Sequence, residues 1–206
     1  MVDRRATDHR EAAWSRLHHG IPAGSVPVLR QWLRAMWAVG SPLAALRVSP
    51  TAITATGALM AVLAVASAAD LPLLALALVC IAVTCDGLDG AVAVLNDRAT
   101  SAGAHADAVA DRIADAAFAA VLWRLGAPWW LAGVAGLLGL LHELARACLR
   151  GARLSRLTVS ERPTRAVCTV LACGSAALTC EPWPATTCAA VLAALATIGL
   201  VQICAR

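Results

Sequence analysis

The sequence has no lysine, no tyrosine and one phenylalanine among its 206 residues. All 17 basic side chains are therefore arginine, a bias we attribute to base composition rather than to chemistry. No pair of cysteines forms a CxxC motif. The eight cysteines, at 80, 85, 148, 168, 173, 180, 188 and 204, fall mostly in apolar runs. They read as reduced, small hydrophobic side chains, which excludes a disulfide scaffold. The first twenty residues, "MVDRRATDHREAAWSRLHHG", have no apolar core and no cleavage pattern, so they do not read as a signal peptide. Residues 1–24 are expected to form a cytosolic extension. No internal repeat or second domain is visible, so 25–206 is taken as one membrane domain.

What is abundant is apolar surface. The chain is 60% hydrophobic with a mean hydropathy of +0.71, well above a soluble domain of this size. Long apolar runs of this kind mark membrane spans. Six are expected, at about 50–69, 71–95, 103–124, 127–149, 164–180 and 184–204. The stretch before them, "SVPVLRQWLRAMWAVG", places Leu29, Trp32, Leu33, Met36 and Trp37 on one face and Arg30, Gln31 and Arg34 on the other. That pattern predicts an amphipathic helix lying on the membrane surface. The fold expected is thus an all-α integral membrane protein: six transmembrane helices preceded by an interfacial amphipathic helix. The arginines gather on one side of this topology, which sets both termini in the cytosol.

Against that background the stretch "CDGLDGAVAVLNDRATSAGAHADAVAD" needs an explanation. It sets Asp86 and Asp89 at i, i+3 on the second span, and Asp107 and Asp111 at i, i+4 on the third. Carboxylates inside a membrane are costly and usually functional. The connecting loop is short, so the two pairs can meet on the cytosolic half of the membrane. Four carboxylates together need compensation. Arg112 could neutralise one of them. One or two Mg²⁺ or Mn²⁺ ions suit the all-oxygen donor set better. The plainer readings are buried polar helix contacts or a proton path.

The full pattern is Asp86-x-x-Asp89-Gly90-x-x-Ala93-x9-Gly103-x3-Asp107-x3-Asp111. It resembles the signature of the CDP-alcohol phosphotransferase family, the CDP-alcohol phosphatidyltransferases. One position departs: Val94 stands where the signature has arginine, and Arg98 lies one helical turn on. "VSPTAIT", with Pro50, Thr51 and Thr54, is similar to the family's P-N-x-x-T start of the first span. "HELARACLRG" and "SERPTR" resemble the segment between the fourth and fifth spans of phosphatidylinositol-phosphate and phosphatidylglycerophosphate synthases.

The resemblance implies a set of roles. Asp86, Asp89 and Asp107 would hold one metal ion, and Asp86, Asp107 and Asp111 a second. Asp111 would also be the general base for the acceptor hydroxyl. Gly90, Ala93, Thr100, Gly103 and Arg98 would line the CDP donor. Thr51, Thr54, Arg146, Arg153 and Arg162 would meet the acceptor. The arginine-rich run from Arg146 to Arg165 reads either as a positive-inside loop on anionic lipid or as a pocket for a phosphorylated polyol. His105 lies inside the motif, between the two aspartate pairs, and is assigned no role; Asp115, one turn beyond Asp111, is not in the signature and reads either as a group supporting the metal ligands or as a paired structural carboxylate. The implied partners are a CDP-diacylglycerol-type donor, a small alcohol, membrane lipids and a second copy of the chain, with no nucleic acid. The implied setting is a bacterial cell membrane, with the site facing the cytoplasm. The rival readings are an intramembrane prenyltransferase, a cation-conducting transport protein, and a family member that has lost activity.

Overall fold

The computed structural model of the chain describes residues 27–96, 100–148, 160, 162–179 and 181–205, with backbone alone for 27–29. Among the described residues every regular element is a helix. They are α1 (Pro27–Ala45), α2 (Pro50–Ser67), α3 (Pro72–Leu95), α4 (Ser101–Arg124), α5 (Trp129–Cys148), α6 (Arg162–Thr179) and α7 (Trp183–Cys204). Proline opens α1, α2 and α3. Its missing N–H is no loss at a first helical position, and its fixed φ favours the helix. The expected extension at 1–24, together with Arg98 and Arg153, lies outside the described residues.

Four helices are long and apolar enough to cross a membrane: α2, α3, α5 and α7. The chain is a membrane protein. The two other expected spans coincide with α4 and α6 in position but differ in character. Helix α4 carries Asp107, Asp111, Arg112 and Asp115, and α6 begins with Arg162 and Arg165. Charge, not length, separates them from the other four.

The helices sort into two compact units. The first holds α1, the opening of α2 to Gly57, α3 from Thr84 and α4 to Val109. Its core is Leu33, Met36, Trp37, Ile53, Leu88, Ala91 and Val92. Leu33, Met36 and Trp37 follow the i, i+3, i+4 stripe expected of α1, while Trp32 stays partly exposed. Gly87, between Asp86 and Asp89, makes the seat for this helix. A Cβ there would stand 2.9 Å from Met36 Sδ and 3.1 Å from Trp32 Cζ2. Gly87→Ala needs only a shift of flexible Met36 and is expected to cost about 1 kcal/mol. Gly87→Leu overpacks the contact and is expected to cost about 3 kcal/mol. Thermal melts of the two variants in detergent check this ordering, and equal melts would remove Gly87 as the seat.

The second unit holds the remainder of α2, α3 and α4 with all of α5, α6 and α7. Its core is built largely of alanine, including Ala61, Ala64, Ala75, Ala117, Ala172 and Ala189, around Val79, Phe118, Val121 and Leu122. Small side chains let helix backbones approach closely, which is how helices pack where lipid gives no hydrophobic drive. Helices α5 and α6 both pack on α7. The α4–α5 turn needs glycine: Gly126 has φ +104°, and a Cβ on it would lie 2.6 Å from Pro182 Cβ. The described cysteines are all free thiols.

Candidate metal centre and an arginine–carboxylate network

In the first unit a carboxylate oxygen of Asp86 on α3 lies within 4.8 Å of one from Asp107 on α4. Asp111 follows one turn along α4, and its oxygen is within the same distance of that of Asp107. The closeness follows from sequence: i, i+4 residues share a helix face. Oxygen atoms this near, each able to carry negative charge, repel unless a cation joins them. The donor set is entirely carboxylate, which is what a hard divalent cation takes, so the residues fit such an ion.

Asp89 is placed differently. It is 6% exposed and both of its oxygens accept hydrogen bonds inside the first unit. Thr54 Oγ1 donates to Oδ2 at 2.5 Å, and the Gly90 N–H donates to Oδ1 at 2.6 Å. Gly90 itself has open space where a Cβ would point.

The second unit holds a network of three arginines and three carboxylates. Arg165, 7% exposed, sits at its middle. Its Nη2 donates to Glu143 Oε1 at 2.8 Å, its Nη1 to the Gly139 carbonyl at 3.3 Å, and its Nε lies 3.3 Å from Asp115 Oδ1. Arg162, one turn earlier on α6, donates to Asp111 and lies 3.8 Å from Asp115. Arg112 lies 3.9 Å from both Asp111 and Glu143. His142, fully buried, lies 4.0 Å from Glu143. One buried guanidinium thus ties α4, α5 and α6 together. A cavity of about 680 Å³ runs from Arg112 and Asp115, past Ala119, Gly133 and Gly136, to Trp123 and Trp129.

The family model for CDP-alcohol phosphatidyltransferases matches residues 47–202. The chain belongs to the CDP-alcohol phosphatidyltransferase family. The match begins just after α1 and takes in both aspartate pairs and the arginine network. No curated protein matches the chain. The family is one of transferases that move a phosphatidyl group from a CDP-alcohol to an acceptor alcohol, and its members generally use a divalent metal.

Set against the family signature, the expected residues are distributed as follows. Asp86 and Asp107 meet in the first unit, and Asp111 follows Asp107 one turn along α4. Ala93 and Val94 are half-buried on α3. Thr100 caps α4, its Oγ1 accepting from the Gly103 N–H at 3.0 Å, as a threonine at a helix start does. Thr51 is exposed at the opening of α2, whereas Thr54 is buried against Asp89 rather than open to an acceptor. Arg146 is half-buried in the last turn of α5. His105 Nδ1 lies 2.6 Å from the Ser101 carbonyl one turn back, an ordinary helix contact. What sequence reasoning missed is the pairing of Arg165 with Glu143. A signal for it existed: a carboxylate more than one turn inside the end of an apolar helix requires a cationic partner.

Proposed function

We propose that the chain transfers a phosphatidyl group from a CDP-diacylglycerol-type donor to a phosphorylated polyol, with release of CMP. The observation that carries this reading is the pairing of Arg162 with Asp111. It sets a guanidinium, the side chain best suited to grip a phosphate in two places, beside the carboxylate that would take the acceptor's proton.

In this reading Asp86, Asp89, Asp107 and Asp111 would hold Mg²⁺ or Mn²⁺. Such ions would neutralise the donor diphosphate and ease departure of CMP. The protein's own residues do the rest. Asp111 accepts the proton of the incoming hydroxyl, and the freed alkoxide attacks the phosphorus that bears the lipid. Gly90, Ala93 and Gly103 leave room for the nucleotide, with Thr100 and Arg98 beside it. Arg162, with Arg146 and Arg153, binds the acceptor phosphate. The cavity along α4 and α5 is lined mainly by apolar side chains, as a site for part of a lipid chain would be. The wider setting proposed is residues 25–206 as a six-span domain, α2 to α7, with α1 on the cytosolic surface of a bacterial cell membrane. Two copies would associate as a homodimer. Val94, at the arginine position of the signature, favours a second reading in which donor binding is weak or activity is lost.

The test is CMP release from CDP-diacylglycerol with glycerol 3-phosphate, inositol phosphate, free inositol and serine offered in turn. A phosphorylated polyol is expected to be turned over fastest. Arg162→Gln removes a charge-assisted bond worth about 1.5–3 kcal/mol, so the acceptor KM is expected to rise about tenfold to a hundredfold. Faster turnover of an uncharged alcohol would overturn the acceptor assignment, and no CMP with any acceptor would support the inactive reading.

A further inference from the structure

The hydroxyl of Thr54 has an unusual destination. A threonine inside a helix ordinarily returns its proton to the carbonyl four residues back. Thr56, two residues further along α2, does this, donating to Ala52 O at 2.8 Å. Thr54 is 3.1 Å from the equivalent carbonyl of Pro50 but 2.5 Å from Asp89 Oδ2. A hydroxyl carries one proton. The shorter approach and the charge of the acceptor direct that proton to Asp89, across 35 residues of sequence and from one helix to another. Thr54 is 9% exposed and Asp89 6%, so water does not supply an alternative partner cheaply. The Gly90 N–H holds the other oxygen at 2.6 Å. Two donors from two different helices therefore fix the plane of one carboxylate. An oxygen of a carboxylate has two lone pairs, so each oxygen keeps one acceptor direction after these bonds are made.

We propose that Thr54 is a positioning residue for the metal centre: its hydroxyl fixes the carboxylate of Asp89, which would be one of the ligands in the reading above, and it does not bind the acceptor. The proposal rests on the metal-dependent reading given above and deepens it. The residue acts through Asp89, as groups behind a metal ligand do when they set its orientation and basicity.

The experiment is Mn²⁺ binding to the full-length protein in detergent, followed by electron paramagnetic resonance, for wild type, Thr54→Val and Thr54→Ser. Valine keeps the shape and removes the proton, and serine restores it. Thr54→Val is expected to weaken Mn²⁺ binding about tenfold to a hundredfold, the usual loss for a group supporting a ligand. Thr54→Ser is expected to return it to within a few-fold of wild type. At saturating Mn²⁺ the acceptor KM of Thr54→Val is expected to be unchanged. Equal Mn²⁺ affinity in wild type and Thr54→Val would overturn the proposal alone. A raised acceptor KM at saturating Mn²⁺ would return Thr54 to the acceptor site. Absence of Mn²⁺ binding in the wild type would remove the metal centre itself, and the proposal with it. Melting curves of the three proteins identify a variant that fails to fold; if that is Thr54→Val, Thr54→Ala takes its place in the same comparison with Thr54→Ser.

Discussion

Asp107→Asn is expected to lower turnover by about three orders of magnitude while leaving the folded protein as stable as before. Asp107 on α4 brings a carboxylate oxygen within 4.8 Å of one from Asp86 on α3. Asparagine has nearly the same volume, so packing on α4 is kept. It cannot carry the charge that draws a divalent cation. The charge stabilisation lost with a bound metal is several kcal/mol, and each 1.36 kcal/mol is tenfold in rate. The fold is expected to gain slightly, because the repulsion between Asp107 and Asp86 is removed. The measurement is CMP release beside a thermal melt. EDTA is expected to give the same loss in the wild type, and Mg²⁺ or Mn²⁺ to reverse it. Full turnover in the presence of the chelator would contradict the metal-dependent mechanism.

Arg165→Met should act in the opposite sense, through stability first. Methionine fills the volume but leaves Glu143 and Asp115 without their closest counter-charge. Breaking a buried pair from one side costs about 3–5 kcal/mol, because the abandoned carboxylate stays out of water. At about 2–4 °C per kcal/mol for a chain of this size, the melting midpoint is expected to fall by roughly 6–20 °C. Adding Glu143→Gln to Arg165→Met is expected to recover part of the loss, since the orphaned charge is then gone. A single-variant midpoint within about 2 °C of wild type, on the same conversion, would show that the network is not buried as described.

Much of this architecture was legible in the residues. Helices α2, α3, α5 and α7 are long, apolar and bounded by proline or short turns, so their ends fall within two residues of those expected. The aspartates were legible because i, i+3 and i, i+4 spacing fixes a shared face before any packing is known. The Arg165 clamp was not. Arg165 belongs to an arginine run that reads as one basic surface, and nothing local separates it from Arg162. What draws it inward is Gly139, twenty-six residues earlier on another helix. A Cβ at that position would stand 3.1 Å from Arg165 Nη1. The space that receives the guanidinium is made by packing, and packing has no one-residue signature. The Thr54 contact was hidden for the same reason. Its place in a motif suggested a ligand contact, and its partner is Asp89 on a neighbouring helix.

The charges of α4 also bear on how the protein is made. A nascent helix carrying Asp107, Asp111, Arg112 and Asp115 meets the insertion machinery alone. Near a helix centre each such charge opposes entry into lipid by about 2.5–3.5 kcal/mol. The guanidinium groups that finally hold Asp111 and Asp115 belong to Arg162 and Arg165, roughly fifty residues later in synthesis. In the six-span reading proposed above, α4 enters the bilayer with only its own Arg112 beside Asp111, and the counter-charges of Arg162 and Arg165 follow when α6 is made. That reading orders biogenesis by charge: an early segment stays provisional until a late one neutralises it. In that reading, α4 of a chain stalled between α5 and α6 is expected to react more readily with water-borne reagents than α4 of the finished chain.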